Sequence, residues 1–585
     1  MLKIKSNHKA IKEYYSSLEM YARQGVSHET AIKNAFQNVL VACCKQMDYD
    51  FIEEYPYKRL ERHKARIDGA FLDSFGVPMG YWEAKDSQDD LAKEVVKKFE
   101  LGYPRENIIF QSPERAIIYQ GSTMILDEDI TSPDKLVSVL KCLFEYKTDT
   151  QMEWEKAVEE FKQQIPQSAE IVVKLIEEER KQNQAFIKAF DTFTEICRTS
   201  INPNISIDAI EEMLVQHLLT ERIFRKVFEN PDFINRNIIA HEIDKVITAL
   251  TSRKFNRNDF LKPLDRFYNI LEKQAQAIDD YSIKQTFLNT VYEKFFQGFA
   301  IKNADTMGIV YTPQPIVDFM VNSVDEILKK EFGRSLSAKN VNILDPFTGT
   351  GNFVTNIMRK INKMDLKYKY LNELHCNEIM LLPYYIASMN IEHQFYEITG
   401  EYIPFQGICL VDTFQLVEDN QISLFSEENT ERVEKLKQTP IFVYIGNPPY
   451  NAGQANENDN NKNRKYPILD KRVSDTFAKD SKATNKNMLQ DPYIKAFRMA
   501  IDKVIENGEG IVAYVTNNSF IDGIALDGMR KHLEDNFDKI YVVDLQGNIR
   551  RDSMKDGIAL GEKHTVFGLG AMVGISITFL IKKKI

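Results

Sequence analysis

The spacing of apolar positions divides the chain into three zones. In residues 1–150, helical and strand periods are mixed. SHETAIKNAFQNVLVACCKQM (27–47) repeats apolar residues at Ile32, Phe36, Val39, Leu40 and Cys43, which predicts a helix. ARIDGAFLDSFGVPMGYWEAKD (65–86) predicts two strands about a Gly-Val-Pro turn, and NIIFQS and AIIYQG predict two more. Residues 151–300 read as almost wholly helical. Pro166 predicts a break in a charge-rich helix, and Ile207, Ile210, Leu214 and Leu218 share one face of another. His217 lies on that second helix and reads as a packing residue without chemistry.

Residues 301–585 alternate strand and helix. Strand-like runs fall at 341–345, 371–377, 407–411, 441–445, 511–516, 540–545 and 574–581. Such alternation predicts an α/β fold with a parallel, doubly wound sheet, which binds ligands at the carboxyl ends of its strands. Polar residues stand at those ends. Asp345 closes the first strand before the turn DPFTGTG, which holds Phe347, Gly349 and Gly351. Glu378 closes the second, Asp412 the third, and Asn447-Pro448-Pro449-Tyr450 the fourth. Asp345 suits an ammonium group, Glu378 two ribose hydroxyls and Asp412 an adenine amino group, the outline of a nucleoside cofactor. No Gly-Lys-Ser/Thr follows the turn, so it is not a phosphate loop.

Composition narrows the setting. The 585 residues are 43% hydrophobic and 27% charged, as in a globular protein, and allow roughly three or four domains. A net charge of −10 means that any nucleic acid must be met by a local basic groove. Six scattered cysteines with no Cys-x-x-Cys spacing suggest neither a zinc site nor disulfides, and fit a reducing cytoplasm. The N-terminus lacks a signal-peptide core, and the longest apolar run, 566–581, is short for a membrane span.

The order of motifs resembles that of S-adenosylmethionine-dependent N6-adenine DNA methyltransferases, and GIVYTPQPIVDFMV (308–321) is similar to the family's leading motif. The resemblance implies a Rossmann-like methyltransferase domain with S-adenosylmethionine held by Thr312, Pro313, Asp345, Phe347, Gly349, Gly351, Glu378 and Asp412. It implies catalysis by Asn447, Pro448, Pro449 and Tyr450. The Asn447 side chain and the Pro448 carbonyl would accept from the target amine, and Tyr450 would stack on a base extruded from double-stranded DNA. A similar box serves enzymes that methylate glutamine on release factors, but those chains are far shorter and carry no nuclease.

In the first zone, Asp68 begins one predicted strand and Glu83-Ala84-Lys85 ends the next, which brings two carboxylates and an amine together. Two hard oxygen ligands suit Mg²⁺, and the lysine can orient an attacking water. The pattern resembles the PD-(D/E)xK nuclease signature, with Glu29 as a further acid, giving metal ligands Asp68, Glu83 and Glu29. Together with EEMLVQHLLTERIFRKVFE, DPYIKAFRMAIDKV and VVDLQGNIRRD, the chain resembles the single-chain Type ISP restriction–modification enzymes everywhere but about 140–200. The resemblance implies a nuclease-like domain at 1–150, a helical spacer or coupler at 151–300 and the methyltransferase at 301–585. Alternatives are a methyltransferase with an inert nuclease domain and a non-catalytic cofactor- and DNA-binding subunit of a larger assembly. Two departures matter. No Gly-x4-Gly-Lys-Ser/Thr occurs, so no ATP-driven motor is expected. No target-recognition domain follows the sheet, so recognition is expected from a specificity subunit or a missing C-terminal segment. The polar insert 456–487 offers Arg464, Lys465, Lys471 and Arg472 for phosphate contacts.

Overall fold

A computed structural model of the chain describes residues 2–24, 29–58, 64–73, 76–85, 90–200, 205–227, 237–251, 257–277, 287, 291, 312–418, 427–449, 465–547, 554–555, 558–559 and 573–584. They fall into two units, Met1–Pro166 with Lys262–Gly298, and Gln167–Leu261 with Phe299–Ile585.

The first unit carries a six-stranded sheet in chain order: β1 (Asp50–Lys58), β2 (Lys64–Leu72), β3 (Pro78–Ala84), β4 (Asn107–Gln111), β5 (Arg115–Gln120) and β6 (Thr123–Asp129). Its helices are α1 (Lys9–Gln24), α2 (Glu29–Met47), α3 (Leu91–Glu100) and α4 (Pro133–Glu145). Neighbouring strands are antiparallel except β3 and β4, which run parallel because α3 carries the chain between them. Ile108, Ile109 and Phe110 are all buried because both faces of β4 are covered. Ile109 joins the core of α1, α2 and α4, while Ile108 and Phe110 meet Leu91 and Val95 of α3. The sequence pattern misses β1, whose apolar alternation is interrupted by Glu53, Glu54 and Pro56, and β6, whose side chains are mostly exposed at the sheet edge.

Helix α5 (Asp149–Gln182) corrects one expectation, since it runs unbroken through Pro166. Proline removes a single donor from the ladder, and buried Trp154, Phe161 and Ile165 before it, with Val172 and Ile176 after it, hold the remaining turns. Next come α6 (Gln184–Ser200), α7 (Ile207–Val227), α8 (Ile238–Thr251) and α9 (Asp265–Ala277). α9 returns to the first unit, where Phe267 stacks on Phe161 with centroids 3.6 Å apart. Trp154 donates to Asp73 Oδ2 at 3.0 Å.

In the second unit, His217 is fully buried with Nδ1 3.1 Å from the Tyr385 hydroxyl. Burial lowers its pKa to about 3, so it is a neutral packing residue. The sheet has seven strands: β7 (Ile343–Asp345), β8 (Leu374–Glu378), β9 (Ile408–Leu410), β10 (Val443–Gly446), β11 (Gly510–Asn517), β12 (Lys539–Asp544) and β15 (Ile575–Lys582). Their order is β12-β15-β11-β10-β7-β8-β9, and a two-stranded pair, β13 (Met554–Lys555) and β14 (Ile558–Ala559), forms a separate sheet. Each strand of the seven-stranded sheet lies where the sequence alternation predicts it, whereas the alternation does not predict β13 and β14. The expectation of a wholly parallel sheet fails at β15, which is antiparallel to both β11 and β12. No described helix separates β12 from β15.

The longer described helices that alternate with these strands are α10 (Gln314–Phe332), α11 (Asn352–Lys360), α12 (Lys363–Asn372), α13 (Leu381–Thr399), α14 (Glu427–Gln438), α15 (Pro467–Val473), α16 (Pro492–Asn507) and α17 (Asp527–Asn536). β10 and β11 are buried along their full lengths, as central strands of a doubly covered sheet are. No described helix is long and apolar enough to cross a membrane.

A buried lysine ties the start of this sheet together. Lys369 of α12 is inaccessible, and its ammonium donates to Glu373 at 2.6 Å and to the carbonyls of Ala338 at 3.1 Å and Val341 at 2.5 Å. Glu373 also accepts the Asn340 N–H at 2.7 Å. Lys369→Met strands a buried carboxylate and two carbonyls. Its expected cost is about 3 kcal/mol by urea denaturation, with partial recovery in Lys369→Met/Glu373→Gln.

Candidate active site

The sheet order β10-β7-β8-β9 sets four strand ends side by side, and each presents a polar group. Asp345 ends β7 and has no solvent exposure. Its Oδ1 accepts the Phe347 N–H at 3.1 Å, while its buried Oδ2 has no hydrogen-bond partner among the described residues. Burial raises its pKa to about 8, against the Phe347 N–H and with a further rise from Glu378. Gly446, at the end of β10, makes room for this carboxylate, since a Cβ there would lie 2.7 Å from Asp345 Oδ1.

Glu378 ends β8. Oε2 accepts the Gly349 N–H at 2.8 Å, and Oε1 accepts those of Ile379 and Met380 at 2.9 and 2.8 Å. Burial still raises its pKa to about 7, because three amides do not replace full hydration. Gly349 and Gly351 both have positive φ, +56° and +87°. A Cβ on Gly351 would press on the Ala387 Cα at 3.2 Å, whereas no atom of the described residues lies within 4 Å of one on Gly349. The loop therefore packs tightly at Gly351.

Asp412 follows β9. The Phe414 N–H donates to Oδ1 at 3.0 Å and the Tyr466 hydroxyl to Oδ2 at 2.9 Å. Beyond β10, Asn447 Nδ2 donates to Thr312 Oγ1 at 3.1 Å, which turns the amide nitrogen toward Thr312. Thr312 is buried and precedes Pro313, the cap of α10. Tyr450 lies outside the described residues, as do 451–464 with Arg464. Phe347 is partly buried, its ring 5.4 Å from that of Phe414.

A buried polar ladder fixes the loop from beneath. Thr348 N–H donates to the Asn377 carbonyl at 3.0 Å, Asn377 Nδ2 to Thr413 Oγ1 at 3.1 Å, and Thr413 Oγ1 to the Pro346 carbonyl at 2.7 Å. Asn390 Nδ2 adds a bond to the Thr350 carbonyl at 2.9 Å.

The first unit holds a second cluster. Ala84 N–H donates to Asp68 Oδ2 at 2.8 Å, and Lys85 Nζ meets Glu83 Oε1 at 3.2 Å and the Ala84 carbonyl at 2.8 Å. Asp68, Glu83 and Lys85 thus come together across β2 and β3. Lys33 of α2 bridges Asp68 and Glu54 at 2.6 Å each, and Lys98 of α3 pairs with Glu83. Burial and the neighbouring Asp68 raise the Glu83 pKa, while the lysines lower it. Glu29 begins α2, and its side chain lies outside the described residues. No three His, Cys, Asp or Glu side chains among the described residues are placed to hold a metal ion.

Residues 153–282 match the family model described as Type ISP restriction-modification enzyme, coupler domain, and residues 284–491 match that of N-6 DNA Methylase. The chain is 36% identical to DrdV in a cryoEM structure of its DNA complex, with a TM-score of 0.69, over 98% of this chain and 56% of DrdV. The chain belongs to the Type ISP-like restriction–modification family. It is 34% identical to a nuclease-deletion mutant of the Type ISP enzyme LlaGI in complex with a DNA substrate mimic, over 77% of this chain and 36% of that one, with a TM-score of 0.67. It is 33% identical to the ATP-dependent Type ISP enzyme LlaBIII bound to DNA, over 85% and 33%, with a TM-score of 0.67. This Type ISP-like chain therefore spans about half of the DrdV chain and about a third of the other two. No curated protein matches it.

Several residues of this family member carry no signal in the sequence. Tyr466 and the Asn377–Thr413 ladder act only through partners distant along the chain. Lys33 and Glu54 converge on Asp68 from other elements, and Glu54 adopts φ +50° opposite it on β1. The far part of the polar insert is structured, with Tyr466 leading into α15. Arg472 there is ion-paired to Asp502 at 3.0 Å.

The raised pKa of Asp345 gives a pH test. Its ordinary value is 3.8, so stability from this group is complete below about 4 and is lost as pH rises through about 8. Asp345→Asn should flatten that decline. Above pH 8, the variant without ligand should unfold on the order of 2–4 °C higher than the parent in a thermal scan. A parallel decline in both proteins would show that Asp345 is not the group responsible.

Proposed function

We propose that this chain transfers a methyl group from S-adenosylmethionine to the exocyclic N6 of adenine in DNA. The observation that carries the reading is the convergence of Asp345, Glu378, Asp412 and Asn447-Pro448 on adjacent strand ends. The buried Oδ2 of Asp345, without a hydrogen bond among the described residues, fits the cofactor's ammonium. Glu378 suits the ribose hydroxyls and Asp412 the adenine amine, with the loop at Gly349 open to a ligand. Bound S-adenosylmethionine supplies an electrophilic methyl on a sulfonium.

The chain's own residues prepare the nucleophile. An adenine amine is weakly nucleophilic because its lone pair is delocalised into the ring. The Asn447 side-chain oxygen and the Pro448 carbonyl would accept its two hydrogens and localise that pair. Thr312 orients the amide, and the prolines restrict its backbone, so the acceptors are held in place before the base arrives. DNA as the substrate is supported by the DNA-bound states of DrdV and LlaBIII.

Asn447→Ala should reduce methylation of adenine-containing DNA by about 100-fold, roughly 3 kcal/mol, while calorimetric cofactor affinity stays within about twofold. Unchanged turnover would refute the role of Asn447.

A second reading, phosphodiester cleavage by the first unit, is supported by the convergence of Asp68, Glu83 and Lys85. As arranged, the site does not fit a divalent cation. Its two carboxylates already meet Lys33, Lys85 and Lys98. Plasmid nicking by the parent, tested with and without a magnesium salt, should disappear in both Asp68→Ala and Lys85→Ala. Nicking that survives in the two variants would assign it elsewhere.

A further inference from the structure

Tyr466 is anchored from several directions. Its ring packs edge-on against Phe414, centroids 5.3 Å apart, and the Lys495 ammonium lies 5.1 Å from its centroid. Its N–H donates to Asp470 Oδ2 at 2.9 Å, and Asp470 is ion-paired to Lys495 at 2.7 Å. The next turn is held from the Asp412 side, since Glu418 accepts the N–H groups of Ile468 and Leu469 at 2.8 Å each. The hydroxyl so placed donates to Asp412 Oδ2 at 2.9 Å, and both residues are buried.

We infer that Tyr466 is the positioning residue that sets purine specificity in the cofactor pocket, by fixing the Asp412 carboxylate in the orientation that accepts from a 6-amino group. The inference rests on reading Asp412 as the acid that faces the cofactor's adenine. With Phe414 N–H on Oδ1 and Tyr466 O–H on Oδ2, rotation of the carboxylate would break two hydrogen bonds. A phenol holds the acid without cancelling its charge, as a lysine in the same place would. The carboxylate therefore remains a strong acceptor. A 6-amino purine presents it with a donor, whereas a 6-oxo purine presents an oxygen that a fixed anion repels. Polar mismatches of this kind discriminate far more strongly than differences in apolar fit.

The test is isothermal titration of the intact chain with S-adenosylhomocysteine and with its 6-oxo counterpart, S-inosylhomocysteine. The parent should prefer the adenosyl compound by at least about tenfold. Tyr466→Phe keeps the ring packing and removes only the hydroxyl. It should lose most of that preference, with adenosyl affinity falling about five- to tenfold. Glu418→Gln loosens the start of α15 without touching Asp412 and should keep the preference. Full preference in Tyr466→Phe overturns the inference. Loss of preference in Glu418→Gln also overturns it, because the effect would then belong to helix packing. A parent that binds neither compound overturns the methyltransferase reading itself, an outcome distinct from binding without discrimination.

Discussion

A buried carboxylate with no counter-ion among the described residues shapes the second unit. Asp345 sits fully inside the protein at the end of β7, with one oxygen lacking a hydrogen-bond partner among the described residues. Leaving such a group uncompensated costs several kcal/mol, and its pKa rises to about 8 as a consequence. The fold must hold it there against that cost. Gly446 on β10 leaves the space it occupies, and the Asn377–Thr413–Pro346 ladder pins the turn behind it. The same parallel run of strands that buries Asp345 brings Glu378, Asp412 and Asn447 to the same edge. An ammonium group on a ligand would pair with the Asp345 oxygen that the described residues leave without a hydrogen bond.

The cluster in the first unit follows the opposite logic. Glu54, Asp68 and Glu83 meet Lys33, Lys85 and Lys98, so charges are matched internally. Ion pairs in partly buried settings gain attraction at the cost of desolvation and become favourable when both partners are well placed. Glu54 reaches its lysine from a left-handed backbone position, an arrangement that costs about 1–3 kcal/mol and persists only where neighbouring structure enforces it. One unit therefore leaves a buried carboxylate oxygen without a hydrogen bond among its described residues. The other has paired its own, and a substrate or ion there must compete with lysines.

Strand positions in the second unit were legible because β7 to β11 and β15 are short apolar runs bounded by polar turns, and buried strands leave that signature. The strand-end acids were legible for the same reason, since each directly follows such a run. The antiparallel direction of β15 was not legible, because an apolar run looks the same read either way. Pro166 misled, because local propensity gives way where packing on both sides holds a helix together. β1 and β6 were hidden by charge at the sheet edges.

The sequence alone determined which chemical groups reach the ligand-binding edge, because strand period and the position of each acid within it fix where that acid emerges. Only the tertiary structure decided how each group is held. The Tyr466 hydroxyl reaches Asp412 across 54 residues, and Lys33 reaches Asp68 across 35. Burial then left the Oδ2 of Asp345 without a partner among the described residues while giving Glu378 three. Hydrogen-bond satisfaction depends on which surfaces pack together, and no periodicity along a chain encodes partners contributed by distant segments.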